Sequence, residues 1–203
     1  MIQRGFLMME TITTVPYEQA MYAECASMLA KSFVANPLHI RAFGNSVGLK
    51  NHSFFSIGLD SFRGRRLVAV VDGEIVGFIH WVHSSCCQFS AFDKMSALPR
   101  MISKLGLPAT INVSRWLSRW EKLDPAHEHL HLGPIAVKAS MQGRGVGATL
   151  MKRFCLEADS LSLDGYLETD ALVNVKFYES FGFVLIKEAE VLGITNFFMI
   201  RSP

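Results

Sequence analysis

Apolar residues recur along the chain at two spacings, one typical of helices and one typical of strands. Near the amino end, a weak alternation predicts a short strand over residues 10–14. Apolar side chains three and four positions apart then predict helices over 17–33 and 51–62. Between them, Asn36–Pro37 predicts the end of the first helix, because proline disfavours helical backbone in the residue before it.

The pattern becomes strand-like in the middle of the chain. Apolar runs at 67–71 and 75–82 flank Asp72–Gly73. Asp-Gly favours the positive φ angles of a tight turn, so the segment predicts a β-hairpin. Further on, the pattern predicts strands over 129–137, 164–169, 183–187 and 196–200, and helices over 145–160 and 173–181. This order indicates one α/β (α+β) domain spanning residues 1–203.

Residues 84–125 have an irregular pattern, with helices predicted only over 98–105 and 111–123. The segment is too short for a core of its own. We therefore expect an insertion between two strands of the sheet rather than a second domain.

Composition narrows the class of protein. The 203 residues are 50% hydrophobic and 19% charged, which excludes a disordered chain and provides enough apolar material for a core. A membrane span would need about 20 consecutive apolar residues. The longest uncharged run, 75–92, contains histidines and serines instead, so no membrane association is expected.

Charge and cysteine content narrow the class of protein further. The net charge is only +2 and no basic cluster stands out, which argues against nucleic acid as a partner. Residues 1–10 lack the pattern of a secretory signal. The four cysteines have no C-x-x-C spacing and are expected to be reduced thiols of a cytoplasmic protein.

A glycine-rich turn carries the clearest chemical signal. Gly143, Gly145 and Gly147 alternate with other residues between a predicted strand and a predicted helix. Glycines let backbone N–H groups converge, and a helix amino terminus attracts anions, so the turn predicts a phosphate or pyrophosphate site. The string also fits the loose dinucleotide pattern G-x-G-x-x-A, although it lies late in the chain and some distance after its strand. A glycine loop that only packs the helix on the strand is the remaining alternative.

Two strings together resemble the GNAT acetyltransferase superfamily. The first is KASMQGRGVGATLM after Val137, and the second is YLETDALVNVKFYESFGFVLI, which begins at Tyr166. Their order and separation are similar to that family's, and the resemblance extends from about residue 11 to the end. It implies a mixed, mostly antiparallel sheet flanked by helices, splayed between the strands at 129–137 and 164–169. It also implies transfer of an acetyl group from acetyl-CoA to a primary amine by direct attack in a ternary complex.

The resemblance assigns cofactor contacts residue by residue. The turn would hold the pyrophosphate, the strand at 129–137 would pair with the pantetheine arm, and the Ile135 backbone N–H would face the thioester oxygen. Tyr178 would protonate the leaving thiolate, although its alternative is an aromatic core residue. Gly133–Pro134 would mark a bulge that opens the sheet. The full cofactor-binding set is Ile135, Ala136, Val137, Gln142, Gly143, Arg144, Gly145, Val146, Gly147, Ala148, Asn174, Phe177 and Tyr178.

An amine nucleophile must lose a proton, so a general base is required. His131 lies at the position that several family members use for the base, and His129 and Glu128 are further candidates. His127 and His129 share the face of His131 by strand alternation. No fourth ligand is evident beside these histidines, so the sequence predicts no metal.

The acceptor side is less defined. Insertion 84–125 is expected to line the acceptor site, with Trp81, Met95, Trp116 and Trp120 as apolar walls. The acceptor is a small amine or a peptide amino terminus, and a homodimer is compatible with the apolar composition. Two other functions stay open: a CoA-binding sensor without catalysis, and a dinucleotide-dependent oxidoreductase.

Overall fold

The computed structural model describes residues 11–203, and within them seven strands form one mixed sheet in the order β1-β2-β3-β4-β5-β7-β6. The strands are β1 (Thr13–Pro16), β2 (Arg65–Val71), β3 (Glu74–His83), β4 (His129–Val137), β5 (Asp164–Thr169), β6 (Val184–Val191) and β7 (Ile194–Arg201). The pair β4–β5 is parallel and the others are antiparallel. The expected mixed, mostly antiparallel sheet is therefore confirmed.

Helices flank this sheet. They are α1 (Tyr22–Ser32), α2 (Pro37–Phe43), α3 (Val47–Ser61), α4 (Ser84–Cys87), α5 (Ala91–Leu105), α6 (Leu107–Glu121), α7 (Val146–Leu161) and α8 (Leu172–Glu179). None of the helices in residues 11–203 is both long and apolar enough to cross a membrane. The predicted strand at 10–14 overlaps β1 only at residues 13 and 14, because residues 11 and 12 precede the strand and residue 10 lies outside the described residues. The prediction that residues 1–10 are not a secretory signal also concerns residues outside the described part.

The local predictions succeed where turn chemistry is explicit. Asp72 and Gly73 adopt φ angles of +49° and +82°, as a tight β-hairpin turn requires. Helix α1 ends at Ser32, before Asn36–Pro37 as predicted, but the same pair also begins a helix that the sequence did not predict. Asn36 caps the amino end of α2 by accepting a hydrogen bond from the His39 N–H at 2.9 Å, and Pro37 is its first residue. A proline suits that position because its missing N–H would have no helical partner there.

The sheet opens between β4 and β5. Their parallel pairing covers three residues of each strand and ends at the pair His131–Tyr166. Strand β4 continues to Val137 along β3, with a register shift that places Gly133 and Pro134 opposite the single residue His80. This is the predicted bulge. The inner edge of β4 beyond His131 is therefore left without a partner strand.

The two faces of the sheet carry different cores. One face packs on α7, with Trp81, Leu132 and Phe154 among its buried residues, and the other packs on α1 and α3 around Phe55 and Phe78. The insertion contributes to a third cluster, in which α5 and α6 meet α2 and the end of β6. Helices α5 and α6 thus pack on α2 and the end of β6 in a cluster that they share with these elements.

Candidate active site

The backbone of β4 turns hydrogen-bonding groups into the opening between β4 and β5. The Lys138 N–H donates to Val76 O of β3 at 2.8 Å. Because neighbouring residues of a strand point their N–H groups to opposite sides, the N–H groups of Val137 and Ile135 face away from β3. They face the side on which pairing with β5 has ended. The predicted oxyanion donor is therefore directed into the opening.

The glycine turn lies at the far end of the same strand. Gly143 and Gly145 have φ angles of +75° and +87°, and Gly145 caps the start of α7. A side chain at either position would strain the backbone. Residues 142–145 are exposed, whereas Val146 is buried in the core and offers the site only its backbone. The turn thus presents the amino terminus of a 16-residue helix to solvent, as an anion site requires.

Three of the predicted cofactor contacts converge beside this turn. A Cβ atom on Gly147 would come within 3.4 Å of the Phe177 ring and 3.6 Å of a Val137 methyl group. Gln142 borders a cavity of about 550 Å³ that reaches the carboxy-terminal half of α1. The fold therefore brings the end of β4, the start of α7 and α8 to one place, although they are distant in sequence.

Helix α8 is fastened to the end of β5. Asn174 Nδ2 donates to Thr169 Oγ1 at 3.2 Å, so this residue orients the helix. Tyr178 is buried against Phe177 and Phe183. Burial and the charge of Asp170 raise the pKa of Tyr178, so its hydroxyl stays protonated at neutral pH.

The three histidines lie in a row on one face of the sheet. Successive ring centroids of His127, His129 and His131 are 6.0 Å apart. His131 stands where the pairing of β4 and β5 ends, and its Nε2 lies 2.8 Å from Glu168 Oε2. The Glu168 side chain is only 2% exposed and the His131 side chain 18%. The predicted base is thus one half of a buried imidazole–carboxylate pair.

A second acidic group meets the same imidazole from the other side. Asp124 Oδ1 lies 3.3 Å from His131 Nδ1 and 3.6 Å from His129 Nε2. Asp124 Oδ2 lies 3.2 Å from Cys87 Sγ. Burial by itself would lower the pKa of His131, but the charge of Glu168 and the contact with Asp124 outweigh it and raise this pKa well above its usual value. The pKa of Asp124 is held well below its usual range, because the two imidazoles outweigh the effect of burial.

Other sequence-predicted groups do not contact the His131–Glu168 pair. Glu128 is exposed and lines a second cavity, of about 320 Å³, which Asp124 and His129 also line. Trp81 packs edge-on against Phe154 in the α7 core, so it cannot wall an acceptor pocket on the histidine face. Met95 is 71% exposed. The structure therefore gives Trp81 a place in the core, and an apolar acceptor wall that includes Met95 stays a prediction.

Three side chains near His131, those of Cys87, Asp124 and Glu168, are not predicted from the sequence. Cys87 looked like an ordinary thiol, Asp124 lies in a loop and Glu168 lies in β5. Strand pairing provides the one available signal: His131 pairs with Tyr166, and Glu168 lies two residues further on the same face of β5. Nothing in the sequence places Cys87 or Asp124 beside the histidines.

Comparison with known proteins identifies the family of the chain. Residues 44–183 match the model of the Acetyltransferase (GNAT) family. No curated protein sequence matches the chain.

Solved structures share the fold over nearly the whole chain. The histone acetyltransferase HPA2 and related acetyltransferase of Corynebacterium glutamicum is 23% identical, with a TM-score of 0.70 over 95% of this chain and 97% of that one. The polyamine N-acetyltransferase of Drosophila melanogaster is 12% identical, with a TM-score of 0.63 over 95% and 100%. Arylalkylamine N-acetyltransferase 2 of Aedes aegypti is 13% identical, with a TM-score of 0.61 over 95% and 99%.

Proposed function

The chain belongs to the Acetyltransferase (GNAT) family and is an acetyltransferase, and we propose that it moves an acetyl group from acetyl-CoA to a small primary amine. The amine attacks the thioester directly while both substrates are bound. The proposal rests on one observation. The edge of β4 that has no partner strand runs from the buried His131–Glu168 pair toward the exposed amino terminus of α7.

The residues of the opening fit acetyl-CoA. The backbone N–H groups at the start of α7 would bind its pyrophosphate, because a helix amino terminus carries partial positive charge. The pantetheine amides would pair with the backbone of Ile135 and Val137, as an added strand pairs with a sheet edge. The pyrophosphate and the thioester are thereby held at opposite ends of the opening.

The reacting groups lie at the end of the opening near His131. The Ile135 N–H would donate to the thioester oxygen as this oxygen gains negative charge. The proton of the amine passes to the His131–Glu168 pair, whose Glu168 Oε1 is buried and without a hydrogen-bond partner. Tyr178 would give its proton to the departing sulfur, a role for which its raised pKa keeps it ready.

The charges at this end favour a cationic acceptor. Glu168 and Asp124 put two carboxylates beside the imidazole, and an amine arrives as an ammonium ion. Structural neighbours include enzymes named for polyamines and for arylalkylamines. We therefore propose a small mono- or diamine as acceptor, with a peptide amino terminus as the competing class. Four free thiols accord with a cytoplasmic, reducing setting.

Acetyl-CoA-dependent thiol release over a panel of amines tests the function. We expect turnover with polyamines or arylalkylamines, and at least a tenfold loss of kcat in Glu168→Gln and in Tyr178→Phe. Calorimetric titration with acetyl-CoA separates binding from turnover. Tight binding of acetyl-CoA with no turnover on any amine would instead indicate a sensor. Binding of NAD(P)H without binding of CoA would indicate an oxidoreductase.

A further inference from the structure

Four potential metal ligands from three separate segments meet beside the candidate active site. They are Cys87 Sγ at the end of α4, an Asp124 carboxylate oxygen in the loop before β4, and ring nitrogens of His129 and His131. These four atoms all lie within 4.8 Å of one another. This set of residues is called the Cys–Asp–His–His cluster below.

The second nitrogen of each imidazole already has a partner that can only accept. His129 Nδ1 lies 2.8 Å from the backbone oxygen of His127, so Nδ1 carries the hydrogen. His131 Nε2 lies 2.8 Å from Glu168, so Nε2 carries the hydrogen. In the neutral rings, His129 Nε2 and His131 Nδ1 are then bare lone pairs directed into the cluster. An outer carbonyl or carboxylate that fixes the tautomer in this way is typical of metal-bound histidine.

The inward-facing atoms are buried without hydrogen bonds. His129 Nε2, His131 Nδ1 and Asp124 Oδ1 all lack a partner. The side chains of His129 and Asp124 are only 1% and 6% exposed, so bulk water cannot supply the missing hydrogen bonds. Three acceptors that face one another out of solvent repel unless a cation lies among them.

We propose that the Cys–Asp–His–His cluster binds one Zn²⁺ ion. Zinc prefers four ligands of this mixed sulfur, nitrogen and oxygen type in a tetrahedron. With bonds of about 2.0–2.3 Å, neighbouring ligands of a tetrahedral site lie about 3.3–3.8 Å apart. The separations of Asp124 Oδ1 from His131 Nδ1 and His129 Nε2, 3.3 and 3.6 Å, match that spacing.

The ligand set indicates a structural ion. Four protein ligands close the coordination sphere, as in structural zinc sites, whereas catalytic sites keep a position open. The ion would tie α4 and the loop before β4 to the strand that forms the opening. It would also occupy the last lone pair of His131, which leaves Glu168 Oε1 as the atom of the pair that accepts the amine's proton.

In the arrangement that competes with zinc binding, His131 carries an additional proton and the cluster holds no metal ion. A protonated His131 would donate to Asp124 and Glu168 together, and Cys87 would remain a thiol. The sequence by itself disfavours a metal because the histidines lack further ligands nearby; the fold supplies two, Cys87 and Asp124.

Metal analysis of untagged protein, reconstituted with excess zinc and then desalted, separates the two arrangements. We expect one zinc per chain, and a loss of at least tenfold in bound zinc in Cys87→Ala and in His129→Gln. The matched controls are Cys86→Ala, the exposed adjacent cysteine, and His127→Gln, the exposed third histidine of the row; both should keep one zinc. Less than a tenth of a zinc per chain in the wild type would overturn the proposal, as would unchanged zinc in both ligand variants.

Cobalt substitution covers the case in which a ligand variant does not fold. Wild-type protein stripped by a chelator and loaded with Co²⁺ should show the visible absorption of tetrahedral cobalt and a thiolate-to-cobalt charge-transfer band. Absence of both bands, with the fold intact by circular dichroism, would overturn the proposal. Neither readout involves acetyl transfer, so failure here leaves the proposed activity standing, and an inactive protein could still bind zinc.

Discussion

Acidification should destabilise the fold through His39, the imidazole that anchors α2. This side chain is buried among Phe43, Phe54, Phe55 and Trp116, and its Nδ1 lies 2.8 Å from Asn51 Oδ1. Burial lowers the pKa of His39 from 6.5 to about 4, and the bond with Asn51 only partly opposes this. The folded protein therefore keeps this imidazole neutral at pH values where the unfolded chain protonates it.

The size of the effect follows from the two pKa values. The difference between 6.5 and about 4, at about 1.4 kcal/mol per pKa unit, gives about 3 kcal/mol. The unfolded state binds the extra proton, so the free energy of unfolding falls as pH decreases. The loss begins below about pH 6.5 and is complete near pH 4. Above pH 7 both states are neutral and His39 adds no pH dependence.

Urea unfolding followed by circular dichroism, from pH 7.5 down to pH 4.5, measures the effect. The control is His39→Gln, which keeps a polar group for Asn51 but does not titrate. Other titrating groups shift the wild type and the variant alike, so the difference between the two curves isolates His39. We expect the wild type to lose 2 to 3 kcal/mol more than the variant over this range. Parallel curves would refute the claim that the fold holds this imidazole neutral.

Three further predictions concern Gly133, Gly145 and Asp170. Gly133→Ala should cost about 1–3 kcal/mol of stability by urea unfolding, because its Cβ would fall 2.3 Å from an imidazole nitrogen, whereas Gly48→Ala in an open helical position should cost nothing. Gly145→Ala should weaken acetyl-CoA binding at least tenfold by calorimetry. The control is Gly193→Ala, at a similar positive φ in a distant turn, which should destabilise the fold to a comparable extent but bind acetyl-CoA normally. Asp170→Ala should lower the free energy of unfolding by about 2 kcal/mol, because the Asn36 side-chain amide and the Leu38 N–H at the start of α2 would both lose their acceptor. A change below about 0.5 kcal/mol would contradict that role.

Much of the fold could be predicted because the informative signals are local. Strand β4 has the bounds expected from its alternation, and the β2–β3 turn has the dihedral angles that Asp72–Gly73 requires. Helix α2 was missed because Asn36–Pro37 serves equally well to end one helix and to start the next.

The site could be predicted only in part. The glycine turn and the histidine row are contiguous in sequence, so their chemistry is visible there. Cys87 and Glu168 lie 44 and 37 residues from His131, and tertiary packing brings them together. Asp124 lies only seven residues before His131, but in a loop whose path the residue pattern does not reveal. Residue type and spacing carry no information about these contacts, because α5 and α6 separate Cys87 from the histidines and α7 separates Glu168 from them.

The bulge at Gly133–Pro134 constrains how this strand can change during evolution. The extra residue reverses the alternation, so Leu132 and Ile135, three positions apart, lie on the same α7-facing side, while Ala136 packs on the opposite one. Deletion of a single residue here would exchange the two faces of the strand's second half. It would also turn the N–H groups that line the opening toward β3. Length variation is therefore expected in the surrounding loops and not between His131 and Ile135.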